Sequence, residues 1–308
     1  MTEAKASTRL DGKRIVVTGS SQGIGRAVAL RIGREGGRVL VTGSGLGAGG
    51  RAAAARTLNA LVEEIESLGA DAASFVGTVA DDAVAKEMIE SAVGQWDGLD
   101  GLVNCAGIPE PVGSSILDMN ARDWERVRSV HLEGTFHSSR HALPHLIASG
   151  GGSIVNTSSH AFLGIYGGTA YGAAKGAINS LTWELAADLR EKNIRCNAIC
   201  PGARTRLSSG AEYDEQIARL TSRGLLTPTM AKSSRQVAPP EGCASLYAFL
   251  LSDASAQISG EIFSATGGYV GVMTRPVDRF LMMKQDAAPW TLDELSSELL
   301  DKLNERKR

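Results

Sequence analysis

Thr18-Gly19-Ser20-Ser21-Gln22-Gly23-Ile24-Gly25 follows the apolar run Arg14-Ile15-Val16-Val17 without a break and opens directly into a helical pattern. Glycine at 19 permits a tight turn, at 23 lets a pyrophosphate approach the backbone, and at 25 lets the helix pack closely on the sheet. The N–H groups at the start of such a helix are free to bind phosphate. Glycines alone can simply punctuate a strand-to-helix turn. Here they stand between a strand and a helix with the spacing GxxxGxG, and that context points to nucleotide binding.

Working outward, the strand–helix rhythm repeats. RIVVTG is followed by a helix expected over Arg26 to Gly36, then RVLVTG (38–43), a helix from Thr57 to Leu68, and ASFVGTV (73–79). A helix from about Ala83 to Gln95, capped by Asp81 or Asp82, leads to GLDGLVNCAG (98–107). The apolar residues of that last run crowd together without polar alternation, as in a strand buried on both faces. A helix presenting Trp124, Val127 and Val130, the strand SIVNTSS (153–159), a helix from Tyr171 to Arg190, and IRCNAICPG (194–202) continue the pattern. CASLYAFLLSD (243–253) reads as a further helix and ISGEIFSATGG (258–268) as a last strand.

The expected fold is therefore α/β: a Rossmann-type, doubly wound parallel sheet of about seven strands in a single domain with a C-terminal helical extension. Residues 1–271 form the dinucleotide-binding catalytic domain in this reading, and 272–308 the extension. GSGLGAGGRAAAAR (43–56) reads as an enlarged βα loop. Residues 204–241, long and polar, are expected to be a substrate lid. Leucines at 292, 295, 299, 300 and 303 share one stripe of a terminal helix expected to be packed.

Composition excludes several function classes. With 43% hydrophobic and 21% charged residues in 308, the chain can bury a core. Its 34 acidic and 32 basic residues leave a formal charge of −2, which supplies no field for nucleic acid or an anionic membrane. The N-terminus lacks an apolar signal core, and no stretch approaches the ~18 unbroken apolar residues of a membrane span. The four cysteines have no metal or disulfide-framework spacing, so a reducing cytoplasm is expected. His137, His141 and His145 share a helical face, but Pro144 is expected to interrupt that helix and no carboxylate cluster accompanies them. They read as surface histidines, and no metal is expected.

The acid–base candidates lie on the helix after SIVNTSS. Tyr171 and Lys175, at i and i+4, share one helical face. A phenol near pKa ~10 is a poor base at neutral pH, and a neighbouring ammonium favours its phenolate. Ser159, at the strand end, can hydrogen-bond the same substrate oxygen. Asn104-Cys105-Ala106-Gly107 ends a strand where ligands of open α/β sheets gather, and a plain strand end is an equal reading.

TGSSQGIG, NCAG, the strand-end serine, YGAAK, CPG and SGEIFSATGGY occur in the order and spacing of the short-chain dehydrogenase/reductase family, which the chain resembles from about Leu10 to Val270. VHLEGTF (130–136), NIRCNAICPGARTRLS (193–208) and the tail after Gly267 are similar to the (3R)-hydroxyacyl-CoA dehydrogenase domain of peroxisomal multifunctional enzymes and its bacterial relatives. The resemblance implies hydride transfer between NAD or NADP and a secondary alcohol or its ketone, with a fatty acyl thioester as one substrate class. A sterol, sugar or carrier-protein ketone reductase is the alternative within the enzyme class, and a catalytically idle nucleotide-binding sensor or scaffold the alternative outside it. Tyr171 would be the general acid/base, Lys175 would hold the nicotinamide ribose, and Ser159 would bind the carbonyl. Cofactor contacts would come from Thr18, Gly19, Ser21, Gln22, Gly23, Ile24, Gly25, Ser44, Val79, Asn104, Ala106, Gly107, Tyr171, Lys175, Pro201 and Gly202. A homotetramer or homodimer is implied as well.

Four positions depart from the family pattern. The family's thirteen-residue spacing from serine to tyrosine lands on Ser158, whereas strand register favours Ser159, which requires a one-residue deletion in the loop. His131 stands where many members carry a relay asparagine, and a relay role and a packed histidine are equal readings. The second strand ends in Gly43 and Ser44 rather than an acid, so NADP is not excluded, and Arg51 reads as a solvated loop arginine. Thr78 replaces a frequent aspartate near adenine.

Overall fold

The computed structural model describes residues 9–110, 115–164, 168–205, 209–285 and 288–304. Residues 206–208 of the expected lid and 305–308 of the terminal extension lie outside the described residues. The chain forms two compact units, Met1–Met273 and Thr274–Arg308.

In the first unit, β1 (Arg14–Val17), β2 (Arg38–Gly43), β3 (Ala72–Val76), β4 (Gly101–Asn104), β5 (Gly152–Thr157), β6 (Ile194–Pro201) and β7 (Ile262–Thr266) pair in parallel. Their order is β3-β2-β1-β4-β5-β6-β7, with an eighth strand beyond β7. The chain winds one way from β1 to β3 and the other way from β4 to β7, so β1 and β4 meet at the topological switch point, where such sheets bind ligands.

The helices of this unit are α1 (Gly23–Arg34), α2 (Gly50–Ser67), α3 (Asp82–Trp96), α4 (Ala121–Arg128), α5 (Gly134–Ala148), α6 (Ala170–Asp188), α7 (Ala211–Ser222), α8 (Pro228–Arg235) and α9 (Glu241–Leu251). They cover both faces of the sheet. Val17, Val41, Val103 and Val155 join α1, α2 and α9 side chains in one core, while Val16, Leu40, Leu102 and Ile154 join those of α3, α5 and α6 in the other. Burial on both faces explains why the strands read as unbroken apolar runs. Each such side chain contributes roughly 1.5–3 kcal/mol of transfer free energy.

Several expectations are corrected. The sheet has eight strands, because the Gly267–Gly268 pair turns the chain back into antiparallel β8 (Tyr269–Met273). α2 starts at Gly50 rather than Thr57: Gly49, at φ 84°, admits the chain, and Ala52 to Ala55 favour helix. The segment 204–241 is not a plain loop. Its α7 and α8 enclose a small core of Ile217, Leu220, Leu226 and Ala231. Pro144 does not end its helix, since α5 runs through it to Ala148. Asp81 is the cap of α3, its Oδ1 accepting from Val84 N at 3.1 Å, an arrangement worth about 1 kcal/mol.

The second unit carries α10 (Leu292–Asn304). Thr291 and Glu294 form a reciprocal cap: the Thr291 N–H donates to Glu294 Oε2 at 2.8 Å, and the Glu294 N–H to Thr291 Oγ1 at 3.3 Å. Lys284 lies 5.0 Å from the Trp290 ring centroid and donates to Glu294 Oε2 at 2.6 Å. The expected packed stripe fails at its ends, for Leu292 is 83% exposed and Leu303 45%.

Candidate active site

At the C-terminal ends of β1 and β4 the loop glycines are required by space. Gly19 has φ 66°, and a Cβ there would stand 2.6 Å from Ala106 Cα. A Cβ on Gly25 would overlap the Gly19 carbonyl oxygen. Gly23, at φ 58°, meets only the Thr205 side chain, at 3.5 Å. Gln22, at the head of α1, makes no side-chain cap, and the first turn holds no acid. Those N–H groups are therefore available to a pyrophosphate, and the cradle fits a dinucleotide. Ser21 lies partly buried in the loop, Ile24 packs against the core below it, and Ser44, exposed after β2, accepts from Leu46 N.

Two residues expected at the cofactor have their side chains bonded within the protein. Thr18 is 1% exposed, and its Oγ1 accepts from Cys105 N at 2.9 Å and Ala106 N at 3.0 Å. It ties β1 to the end of β4, because a hydroxyl buried there needs partners inside the protein. Asn104 points into the core, donating to Ser139 Oγ at 3.1 Å and Asn156 Oδ1 at 2.9 Å. Both side chains are struts. Val79 packs against Gly134, and its carbonyl lies 3.2 Å from His137 Nδ1. A Cβ on Gly107 would strike the His131 ring. Pro201 ends β6 and Gly202 follows it, with Gly202 N bonded to Ala265 O at 2.8 Å.

Three of the predicted side chains converge. Ser159 stands near enough to the Tyr171 phenol to favour its phenolate, while Lys175 Nζ lies 5.5 Å from the Tyr171 ring centroid. Ser158, the alternative from family spacing, is buried, and its hydroxyl donates to the Lys175 carbonyl at 3.2 Å. The expected electrostatics are corrected. Lys175 donates to Thr157 O at 2.7 Å, and burial lowers its pKa to about 8. Burial pushes the Tyr171 phenol up to about 12, the Ser159 hydroxyl opposing it. Desolvation is the largest cause of that rise.

His131 completes the wall. α4 and α5 are joined by a π-turn, Ser129–Glu133, and this widened turn carries His131. Such turns occur at functional sites because they aim a side chain that regular helix would point elsewhere. Of the other histidines, His141 lies 2.8 Å from Asp82 Oδ1 and His137 faces Val79, so these are half-buried struts rather than free surface groups. Among the described residues, no group of three or more His, Cys, Asp or Glu side chains is placed to hold a metal.

Sequence reasoning missed Thr205 against Gly23, the Thr157 carbonyl that seats Lys175, and the Tyr247 hydroxyl 3.0 Å from Thr157 Oγ1. Only Thr205 had a signal, as a polar residue just past the CPG turn.

The family described as Enoyl-(Acyl carrier protein) reductase matches residues 19–270. A hydroxyacyl-CoA dehydrogenase of Mycobacterium tuberculosis is 35% identical over 96% of this chain and 90% of its own. A 3-oxoacyl-[acyl-carrier-protein] reductase of Thermotoga maritima is 32% identical over 85% of this chain and 99% of its own. Among solved structures, a short chain dehydrogenase from Mycobacterium avium superposes with a TM-score of 0.78 at 31% identity, covering 96% of this chain and 95% of that one. A short chain dehydrogenase from Burkholderia cenocepacia in complex with NADP gives 0.71 at 30%, covering 84% and 98%. The chain belongs to the short-chain dehydrogenase/reductase family and is an NAD(P)-dependent oxidoreductase.

Proposed function

We propose that the protein moves a hydride between nicotinamide and the 3-position of a 3-hydroxyacyl or 3-oxoacyl thioester, with Tyr171 as general acid/base. The observation that carries this reading is the meeting of Ser159, Tyr171 and Lys175 beside the switch point of the sheet. The bound cofactor supplies or accepts the hydride. Ser159 holds the substrate oxygen, and Tyr171 gives it a proton in reduction or takes one in oxidation. Lys175, seated on the Thr157 carbonyl, would hold the nicotinamide ribose, and its charge would favour the phenolate. Gly19, Ser21, Gln22, Gly23, Ile24 and Gly25 hold the pyrophosphate side, and Ser44, Val79, Ala106, Gly107, Pro201 and Gly202 line the rest. Residues 1–271 act as the catalytic domain with 204–241 as the substrate cover, and 272–308 as an extension.

The thioester is favoured over a sterol or sugar because the likeness to the hydroxyacyl-CoA dehydrogenase runs through 96% of this chain. The converged set disfavours an idle scaffold. Four free cysteines support a reducing cytoplasm. Exposed Tyr269, Val270 and Val272 on the edge strand β8 support a homodimer or homotetramer. The test offers 3-hydroxyacyl-CoAs of graded chain length, simple secondary alcohols and sterols with each nicotinamide cofactor, following absorbance of the reduced ring. The reading expects kcat/KM to be greatest for a thioester, and preference for a non-thioester alcohol overturns the substrate class.

A further inference from the structure

Glu110 stands in the loop after β4, between Pro109 and Pro111 in the sequence, and a residue before proline is held out of the helical region. Its side chain reaches the start of α6, the helix that carries Tyr171. Oε1 accepts from Thr169 N at 2.9 Å and Ala170 N at 3.3 Å, and Oε2 accepts from Tyr171 N at 2.8 Å. A helix begins with N–H groups that have no partner inside it, and these are usually met by a local side chain. Here Thr169, at the cap position, has helical φ and ψ and makes no side-chain cap. One carboxylate from 59 to 61 residues away does that work.

The backbone around it leaves room for the arrangement. Gly168, at φ 83°, precedes the helix, and a Cβ there would lie 2.6 Å from Glu110 Oε2. The same loop also holds His131, which packs on Tyr171. The N–H and carbonyl of Ile108 lie 3.1 Å and 2.9 Å from His131 Nε2, and the His131 ring stands against Tyr171.

We infer that Glu110 is a positioning residue for the reaction: its carboxylate clamps the first turn of α6, fixing where the Tyr171 phenol stands relative to Ser159, and sets a negative charge behind it. The inference rests on the reading of Tyr171 as general acid/base. The groups around the phenol come from every neighbouring element: Ser159 after β5, His131 in the π-turn, Lys175 on α6, Cys105 after β4, Cys200 on β6, and Glu110. Burial holds His131 neutral, at about 3, and raises both thiols. Of these groups, Lys175 and Glu110 are the ones that bring charge to bear. Burial is the main cause that raises the proton affinity of Tyr171, and the Glu110 charge acts in the same direction. It opposes the phenolate that alcohol oxidation needs and keeps the phenol protonated for ketone reduction.

Glutamine at 110 keeps one acceptor oxygen, turns an N–H₂ toward the helix N–H groups, and removes the charge. Glu110→Gln is therefore expected to lower kcat for oxidation about tenfold at the wild-type optimum while cofactor KM stays within about twofold. It is also expected to move the acidic limb of the kcat profile toward lower pH. Glu110→Asp keeps the charge but not the reach, so kcat falls and the limb stays in place. The pair of profiles, measured in folded protein checked by circular dichroism, separates charge from packing. A Glu110→Gln limb that coincides with the wild-type limb overturns the inference, whatever kcat does. Tyr171→Phe is run beside them: if it keeps turnover, the reading of Tyr171 fails, and if it loses turnover while Glu110→Gln titrates as wild type, only the role of Glu110 fails.

Discussion

The His131 imidazole stands edge-on to the Tyr171 ring, with centroids 5.0 Å apart and planes at 89°. His131 is 2% exposed, its Nδ1 has no hydrogen-bond partner among the described residues, and burial holds its pKa at about 3. The ring is neutral throughout the working pH range, so it contributes shape and a lone pair rather than charge. In the unfolded chain the same group titrates near ~6.5. Because the folded value is depressed, its contribution to stability is complete above that pH and is lost as pH falls from there toward 3. Urea midpoints measured across this window should decline for the wild type, and His131→Gln should flatten the decline. Parallel slopes contradict the burial of a neutral imidazole.

The adjacent serines should separate cleanly. Ser159 stands beside the Tyr171 phenol and its hydroxyl accepts from Ala161 N, whereas Ser158 donates to the Lys175 carbonyl inside the protein. Ser159→Ala is expected to lower kcat by about 10²–10³ with little change in unfolding midpoint. Ser158→Ala is expected to cost about 1 kcal/mol of stability and to leave kcat within a few-fold. Steady-state kinetics and chemical denaturation on both variants check this, and the reverse pattern would assign the substrate oxygen to Ser158.

The parallel sheet was legible because its strands are buried on both faces and so read as apolar runs, as at Leu102, Val103 and Asn104. The glycine loop was legible because each glycine answers a local steric demand. Tyr171 and Lys175 could be paired because helical spacing alone places them together. The two lid helices were hidden, since α7 and α8 bury only a few apolar side chains against each other and look polar in sequence. The π-turn at His131 has no sequence pattern of its own. The inward side chains of Thr18 and Asn104 were not legible, because a motif tells where a residue stands and not which way its side chain turns. The shift at Tyr171 could not be foreseen either, for it is set by burial that only the assembled site determines.

Far from the site, Arg14 and Asp100 form a two-pronged pair at the opposite end of β1 and β4. Arg14 Nε donates to Asp100 Oδ2 at 2.7 Å, Nη2 to Oδ1 at 3.0 Å, and the Arg14 N–H to Oδ2 at 2.8 Å. Burial acts to raise the Asp100 pKa, and the Arg14 hydrogen bonds and charge together overcome it, leaving it below the ordinary value. Asp100→Asn is expected to cost about 2 kcal/mol at neutral pH. A depressed carboxylate contributes fully above its unfolded pKa of ~3.9 and loses that contribution as pH falls through the lower folded value. The gap between variant and wild type, followed by denaturation from neutral pH into acid, should therefore close below about pH 4. A gap that is constant with pH contradicts the ion pair as its source.

The central claim is that the Tyr171 phenol handles the proton while other groups hold the cofactor. The most direct measurement compares Tyr171→Phe with wild type in two ways on one preparation: turnover, and reduced nicotinamide binding followed by its fluorescence. The account predicts a fall in kcat of about 10²–10⁴ with cofactor affinity within a few-fold, since phenylalanine keeps the ring and its contact with His131 but has no proton to give. Turnover within a few-fold of wild type, with the cofactor still bound, would contradict it.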